Sequence, residues 1–488
     1  MRESGILMHI TSLPGSFGVG TLGSEARDFV DFLHTAGQKC WQLLPVGPTG
    51  YGNSPYQSCS SFAGNPYLVS PEILADSGLL TQEELEAAKV PAGDRVDFGW
   101  LYNTRIDLLR KAFLRFEPDE DYQIFCAGAG NWLGDYALYQ ALKTRFYGAA
   151  WYAWPEELKH RQADAIWQAR RELAEEIRLH SFIQYQFFCQ WQQLRAYAKE
   201  KSIRLIGDLP IYVPMDSVEV WVDPELFQLD DKLDPTAVAG CPPDGFSADG
   251  QLWGNPLYRW DVMEHDGFGW WIRRLEAAGK LFDTLRFDHF RGLESYWAIP
   301  YGDDTARNGK WVKGPGIRLV EAVKKQLPGL RMIAEDLGFL TRDVLDLRDA
   351  SGWPGMKVIQ FAFDSREPSD YLPHTYTANS VCYTGTHDNL TMGQWFREAD
   401  PTAVAYAKEY MGIGPGEDPV RETIRVALSG VSNLCVIPMQ DWLGLEGEGR
   451  MNFPGTLSDS NWTWRLKDAI MLGTLAESIR RMTALYGR

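Results

Sequence analysis

At 488 residues, with 45% hydrophobic and 23% charged content, the chain has the make-up of an ordinary globular protein with ample core. Its 48 Lys and Arg stand against 65 Asp and Glu, a net charge of −17. So acidic a surface repels phosphate backbones and anionic lipid, which argues against nucleic acid and membrane partners and favours a neutral substrate.

Taken in chain order, eight short apolar runs read as buried strands: Gly5–Ile10, Cys40–Val46, Ile203–Leu209, Thr284–Phe290, Leu330–Glu335, Met356–Phe363, Ser380–Thr384 and Asn433–Met439. Helical patterns lie between several of them. Ser24 is the expected N-cap of the first helix, Phe29, Phe32, Leu33 and Ala36 trace its buried face, and Gly37 stops it. Strands alternating with helices predict an α/β fold, a (β/α)8 TIM barrel. The spacing is uneven. The stretch between the second and third runs is rich in Leu, Ala, Glu and Arg, and predicts a large, mainly helical subdomain inserted over 51–200. Its Phe182, Tyr185, Phe187 and Phe188 stripe reads as helix packing. The connection 210–283 is dense in Pro, Gly and Asn and predicts a loop-rich insertion, with an active-site loop at 240–260. The whole, 1–488, is expected to form a single catalytic unit.

Seven scattered cysteines with no C-x-x-C pair argue against a disulfide framework or zinc site and for a reducing compartment. Gly5–Ile10 is too short for a signal-peptide core, and no run approaches the ~20 apolar residues of a membrane span. The cytoplasm is therefore the expected location. Histidine and acid spacings match no metal motif, and Gly128-Ala129-Gly130 lacks the features of a dinucleotide fingerprint, so neither a metal nor a cofactor is expected.

Four of the apolar runs end on acids: Asp208, Asp288, Glu335-Asp336 and, after Tyr383, His387-Asp388. In a parallel barrel such strand tips line the catalytic face. Retaining glycosidases need two carboxyl groups about 5–5.5 Å apart, one nucleophile and one acid/base. Arg286 lies two residues before Asp288, on the same side of its strand, where a guanidinium keeps the aspartate ionised. Glu335 needs the opposite tuning, a raised pKa.

At these motifs the chain resembles the α-amylase clan, with Asp288, Glu335 and His387-Asp388 matching the segments after strands four, five and seven. Thr11–Gly15, Gly47–Tyr56, Phe62–Tyr67, Trp253–Pro256, Asp288–Gly292, Ala334–Gly338 and Arg450–Asn452 narrow the resemblance to the 4-α-glucanotransferases of glycoside hydrolase family 77, the amylomaltases or disproportionating enzymes. That resemblance implies Asp288 as nucleophile, Glu335 as acid/base, and Asp388 as a third acid on the 2- and 3-hydroxyls of the distorted sugar. Arg286 and His387 should flank that sugar. Asp208 either organises the site or is structural. Tyr51, Tyr56, Trp253, Asn255, Phe246 and Phe361 should line the glucan groove, and Tyr102 should pair with Tyr51 at an outlying patch. The implied partners are α-1,4-glucans and maltooligosaccharides, with the oligomeric state, monomer or homodimer, left open. One departure is Gly245, where some relatives carry an aromatic; it leaves Phe246 alone over the acceptor.

Transfer and hydrolysis begin with the same glucosyl-enzyme, so the carboxylates do not separate them. An α-glucan hydrolase remains the alternative within the clan, and a catalytically silent glucan-binding protein the alternative outside enzymes.

Overall fold

The computed structural model describes residues 2–50, 52–243, 247–338, 340–363, 369–468 and 470–488. Eight parallel strands close into a barrel: Glu3–Leu7, Cys40–Gln42, Arg204–Leu209, Thr284–Phe287, Met332–Ala334, Gly355–Val358, Ser380–Tyr383 and Leu434–Pro438, here barrel strands 1 to 8. Each pairs with its neighbours in sequence, and strand 1 pairs with strand 8 to shut the ring. Each predicted run overlaps one barrel strand, in order, though strand 1 begins two residues before its run and strand 6 one residue before. The reason is burial: strands covered on both faces tolerate continuous Val, Ile and Leu, and Leu205, Ile206, Leu285 and Ile333 are at most 2% exposed.

Several runs were predicted too long at their C-terminal ends. Ile10–Ser12 and Ile359–Phe361 are 3₁₀ turns rather than strand, because the apolar run continues into the packed mouth of the barrel after the ladder has stopped. The first helix, Ser24–Thr35, also departs from expectation at its start. Its N-cap is Gly23, and Ser24 is already helical, with its hydroxyl donating to Glu72 Oε2 at 3.0 Å. Glu25 turns back instead, accepting the Thr21 N–H at 2.7 Å and the Thr21 hydroxyl at 2.6 Å. The predicted face of Phe29, Phe32, Leu33 and Ala36 is buried, and Gly37 ends the helix at φ 72°.

Between strands 2 and 3 lie helices that include Phe98–Phe113, Glu120–Gly128, Leu133–Arg145 and the long Ala174–Glu200, which returns the chain to strand 3. The aromatic stripe of that helix is packing. Phe182 meets Phe116 at 4.8 Å, Tyr185 meets Tyr122 at 5.3 Å, and Phe188 meets Trp132 at 5.8 Å between ring centres.

The segment 210–283 is not all loop. Ala237–Cys241 and Gln251–Pro256 form an antiparallel pair, extended by Ser295–Pro300 and Lys310–Lys313 into a second sheet of four strands. Gly240, Gly254 and the flanking prolines mask this pair in the sequence, and a register shift between Val238 and Gly240 breaks its period of two. Among the described residues no helix is long and apolar enough to cross a membrane.

Candidate active site

Strand register brings the acids together. Asp208 in strand 3 lies opposite Arg286 in strand 4, and Phe287 lies opposite Ala334 in strand 5. One residue further, the Asp288 N–H donates to the Leu209 carbonyl at 3.0 Å and the Glu335 N–H to the Phe287 carbonyl at 3.0 Å. Asp288 and Glu335 thus stand side by side on neighbouring strand tips, whose backbones are about 4.8 Å apart.

Arg286 ties strand 3 to the tip of strand 4. Its Nη1 sits 2.7 Å from both oxygens of Asp208 and 2.9 Å from Asp288 Oδ1. The Tyr56 hydroxyl donates to Asp208 Oδ2 at 2.8 Å, completing that carboxylate's partners. Burial works against the guanidinium's charge, but Asp208, Asp288 and the other groups around it lift its pKa above the ordinary arginine value. The cluster is therefore a charged one, with a fixed cation between two acids.

Glu335 is buried in a different environment. Its Oε2 accepts the His289 N–H at 2.7 Å and its Oε1 the Leu337 N–H at 3.2 Å. Burial pushes its pKa up to about 8; Arg286 pulls the other way and Asp288 pushes with it. His289 holds its amide there by adopting φ 53°, a left-handed conformation uncommon for a non-glycine residue, of the kind that collects at functional sites. Its ring is kept neutral, pushed down to about 4 chiefly by burial, and meets the edge of Trp253 at 4.9 Å.

Asp388 sits on the loop after strand 7. Asn389 Oδ1 accepts the Thr386 N–H and hydroxyl, both at 2.9 Å, and Thr386 Oγ1 accepts the Asp388 N–H at 3.3 Å. Asn452 donates its side-chain N–H to Asp388 Oδ1 at 2.7 Å, and His387 Nε2 lies 3.4 Å from Oδ2. His387 stacks on Tyr56 with ring centres 5.0 Å apart, and both rings contact Trp462.

Of the predicted groove residues, Tyr56 and Trp253 are joined to the acid cluster by these contacts. Asn255 is buried and accepts from Gln57, the neighbour of Tyr56, at 3.3 Å, while Phe361 is half-buried against Tyr371. Tyr102 is 69% exposed on the inserted helix Phe98–Phe113, next to Gly148. Tyr51, Gly245 and Phe246 lie outside the described residues.

Other residues here were not singled out in the sequence. His9 is buried at the end of strand 1, pushed down to about 3 by burial and by His387, and shares a cavity of about 20 Å³ with His387, Arg450 and Asp441. Asp441, raised to about 6 by burial, anchors the segment after Asp388 by accepting the Met392 N–H and the Thr384 hydroxyl. Asn452 was visible only as part of a motif. No local pattern marked His9, Asp441 or Trp462.

Comparison with known proteins gives a consistent result. The 4-alpha-glucanotransferase model of glycoside hydrolase family 77 matches residues 8–471. The chain is 45% identical over 494 residues to a 4-alpha-glucanotransferase of Clostridium butyricum, covering 99% of this chain and 100% of that one. It is 48% identical over 478 residues to one of Thermus thermophilus, covering 95% of each. Among solved structures it is similar to the amylomaltase from Streptococcus agalactiae in complex with acarbose, with TM-score 0.96, 40% identity and full coverage of both chains. A closed eight-stranded barrel with an acidic cluster at its strand tips, a family model spanning nearly all of its length and relatives of matching extent together establish that the chain belongs to the 4-alpha-glucanotransferases of glycoside hydrolase family 77.

Proposed function

We propose that the enzyme moves α-1,4-glucan segments from a donor to the 4-hydroxyl of an acceptor by a retaining double displacement, with Asp288 as nucleophile and Glu335 as acid/base. In the first step an oxygen of Asp288 attacks the anomeric carbon. The bond to the departing 4-oxygen breaks, and Glu335 gives that oxygen its proton. In the second step Glu335, now a carboxylate, takes the proton of an acceptor 4-hydroxyl as that oxygen displaces Asp288 from the anomeric carbon. Asp388 holds the 2- and 3-hydroxyls of the reacting sugar, with His387 and Arg286 beside it.

The observation that carries this reading is the contrast between the two neighbouring acids. Asp288 is held by a buried cation, while Glu335 is raised to about 8 by burial and so keeps its proton at neutral pH. Tyr56, Trp253, Asn255, Phe361 and, from the family resemblance, Tyr51 and Phe246 form the glucan groove, with Tyr102 at an outlying patch. The chain works as one catalytic unit over 1–488, on which the helical insertion 51–200 and the 210–283 insertion with loop 240–260 shape the approach to the barrel mouth. Acceptor binding in an aromatic groove favours transfer over water by proximity.

Incubation with maltotriose tests the reading. Glucose plus a ladder of longer oligosaccharides is expected, and Asp288→Asn and Glu335→Gln should each nearly abolish it while the fold survives. Conversion to short sugars alone identifies a hydrolase instead; binding without turnover identifies a silent glucan-binding protein.

A further inference from the structure

On the outer side of the barrel wall a cleft of about 300 Å³ opens between helix Arg342–Ser351, strand 6 and the segment leading from Asp370 into strand 7. Small-ligand sites occupy roughly 300–1,000 Å³. The alternation of strand 6 determines which side chains reach the cleft. Met356 points inward, where its Sδ accepts from Arg286 Nε at 3.3 Å, so Lys357 points outward and lines the cleft.

Lys357 is half-buried. Its ammonium donates to the Asp370 carbonyl at 3.3 Å and lies 5.2 Å from the Tyr371 ring centre. An ammonium has three donors, so this group retains hydrogen-bonding capacity toward the cleft. Arg348, also on the wall, is committed to carboxylates, with Nη1 on Asp336 at 2.8 Å and Nη2 on Asp349 at 2.7 Å. Asn379, exposed on the cleft wall, gives one amide N–H to the Gly352 carbonyl at 3.3 Å. Trp353 supplies an apolar wall.

We infer that this cleft is a second ligand site, for a neutral mono- or disaccharide. Its walls offer donors from Lys357 and Asn379 and acceptors from Asp349 and Asp370, the mixture that a ring of hydroxyls satisfies in both directions. Lys357 and Arg348 face Asp336, Asp349 and Asp370, so the charge balance disfavours a phosphate or carboxylate ligand. Among the described residues no group of three metal-ligating side chains is present.

The cleft also touches the supports of the catalytic acids. The Trp353 ring packs 5.8 Å from Phe290 and 6.3 Å from Phe287, the residues that bracket Asp288-His289. Asp336, held by Arg348, follows Glu335 in the chain and accepts the Met356 N–H at 2.7 Å. The inference stands independently of the roles proposed for Asp288 and Glu335.

The test uses the full-length Asp288→Asn protein, which does not turn the sugar over. Crystals soaked in maltose should show glucosyl density within hydrogen-bond distance of Lys357 Nζ. Calorimetric titration with maltose should show two binding events, and adding Asn379→Trp or Lys357→Met should weaken one of them at least tenfold while sparing the other. Either variant suffices should the other fail to fold. A cleft free of sugar with a single-event isotherm overturns the inference, and so does inorganic phosphate binding there where maltose does not. Loss of the groove event with the cleft event intact would instead count against the active-site reading.

Discussion

A carboxylic acid that donates a proton near neutral pH has to be kept from ionising, and the burial of Glu335 fits the acid/base role proposed for it. Burial raises its pKa from an ordinary 4.5 to about 8, so kcat/KM is expected to fall above about pH 8 as the proton is lost, and this limb should vanish from the residual activity of Glu335→Gln. The same shift costs stability. Below about pH 4.5 folded and unfolded states both hold the proton; between there and pH 8 only the folded state does, so stability declines as pH rises. Glu335→Gln removes that decline. It should raise the melting temperature at pH 8, by an amount corresponding to up to a few kcal/mol, with the difference shrinking toward pH 4.5. An unchanged melting curve at pH 8 would contradict this placement of Glu335. Arg286 gives a second prediction at this scale. Arg286→Met leaves Asp208 and Asp288 without their shared cation, and breaking a buried pair typically costs about 3–5 kcal/mol. A loss of at least ~100-fold in kcat is expected; activity within a few-fold of the parent would rule out the bridging role. In the sequence, the three acids and Arg286 were legible because each belongs to a compact motif at a strand tip. Asn452 stood in the Arg450–Asn452 motif with no role attached, and His9 and Asp441 carried no mark, since they reach the site only through strand closure.

Among the elements, the eight barrel strands were legible because burial on both faces writes an uninterrupted apolar run. Where a strand stops was not, since Ile10 and Phe361 remain packed after hydrogen bonding has ended. The second sheet escaped notice because its strands carry glycine and proline, and because its central pairing, Ala237–Cys241 with Ser295–Pro300, joins stretches far apart in the chain. The motif Phe62–Tyr67, read first as a family signature, has a structural job. Gln184, on the long helix Ala174–Glu200, accepts the Gly64 N–H at 2.7 Å and donates to its carbonyl at 2.9 Å. Gln190 likewise accepts the Ser70 N–H at 2.7 Å. The helix thereby clamps the loop that carries Tyr56 toward Asp208. Gln184→Leu strands two buried backbone groups at roughly 1–3 kcal/mol each. A drop of about 2–5 kcal/mol in stability is expected from urea denaturation, with KM rising as Tyr56 loosens. A stability change under about 0.5 kcal/mol, the range of ordinary surface substitutions, would show that the clamp is unimportant.

For the molecule as a whole, closure of the barrel is what converts separate motifs into a site. Residues 208, 286, 288, 335 and 388 come from strands 3, 4 and 5 and the loop after strand 7, and Asn452 joins them from beyond strand 8. The chain's ends lock that closure: Arg488 donates to the carbonyls of Glu3 and Gly430, both at 2.9 Å, and Lys39 and Ser4 link strands 1 and 2. The order of the elements was readable from the sequence, and their meeting point followed from the barrel, but no pattern along the chain encodes the distances at that point. The claim that most depends on those distances is that Asp288 forms a covalent bond to the sugar. Glu335→Gln, given an α-maltosyl fluoride whose fluoride leaves without a proton, should accumulate a maltosyl ester, since no base remains to activate the acceptor. Peptide mass mapping should place the added maltosyl group on Asp288. An adduct on another residue, or rapid fluoride release from Asp288→Asn as well, would contradict the mechanism.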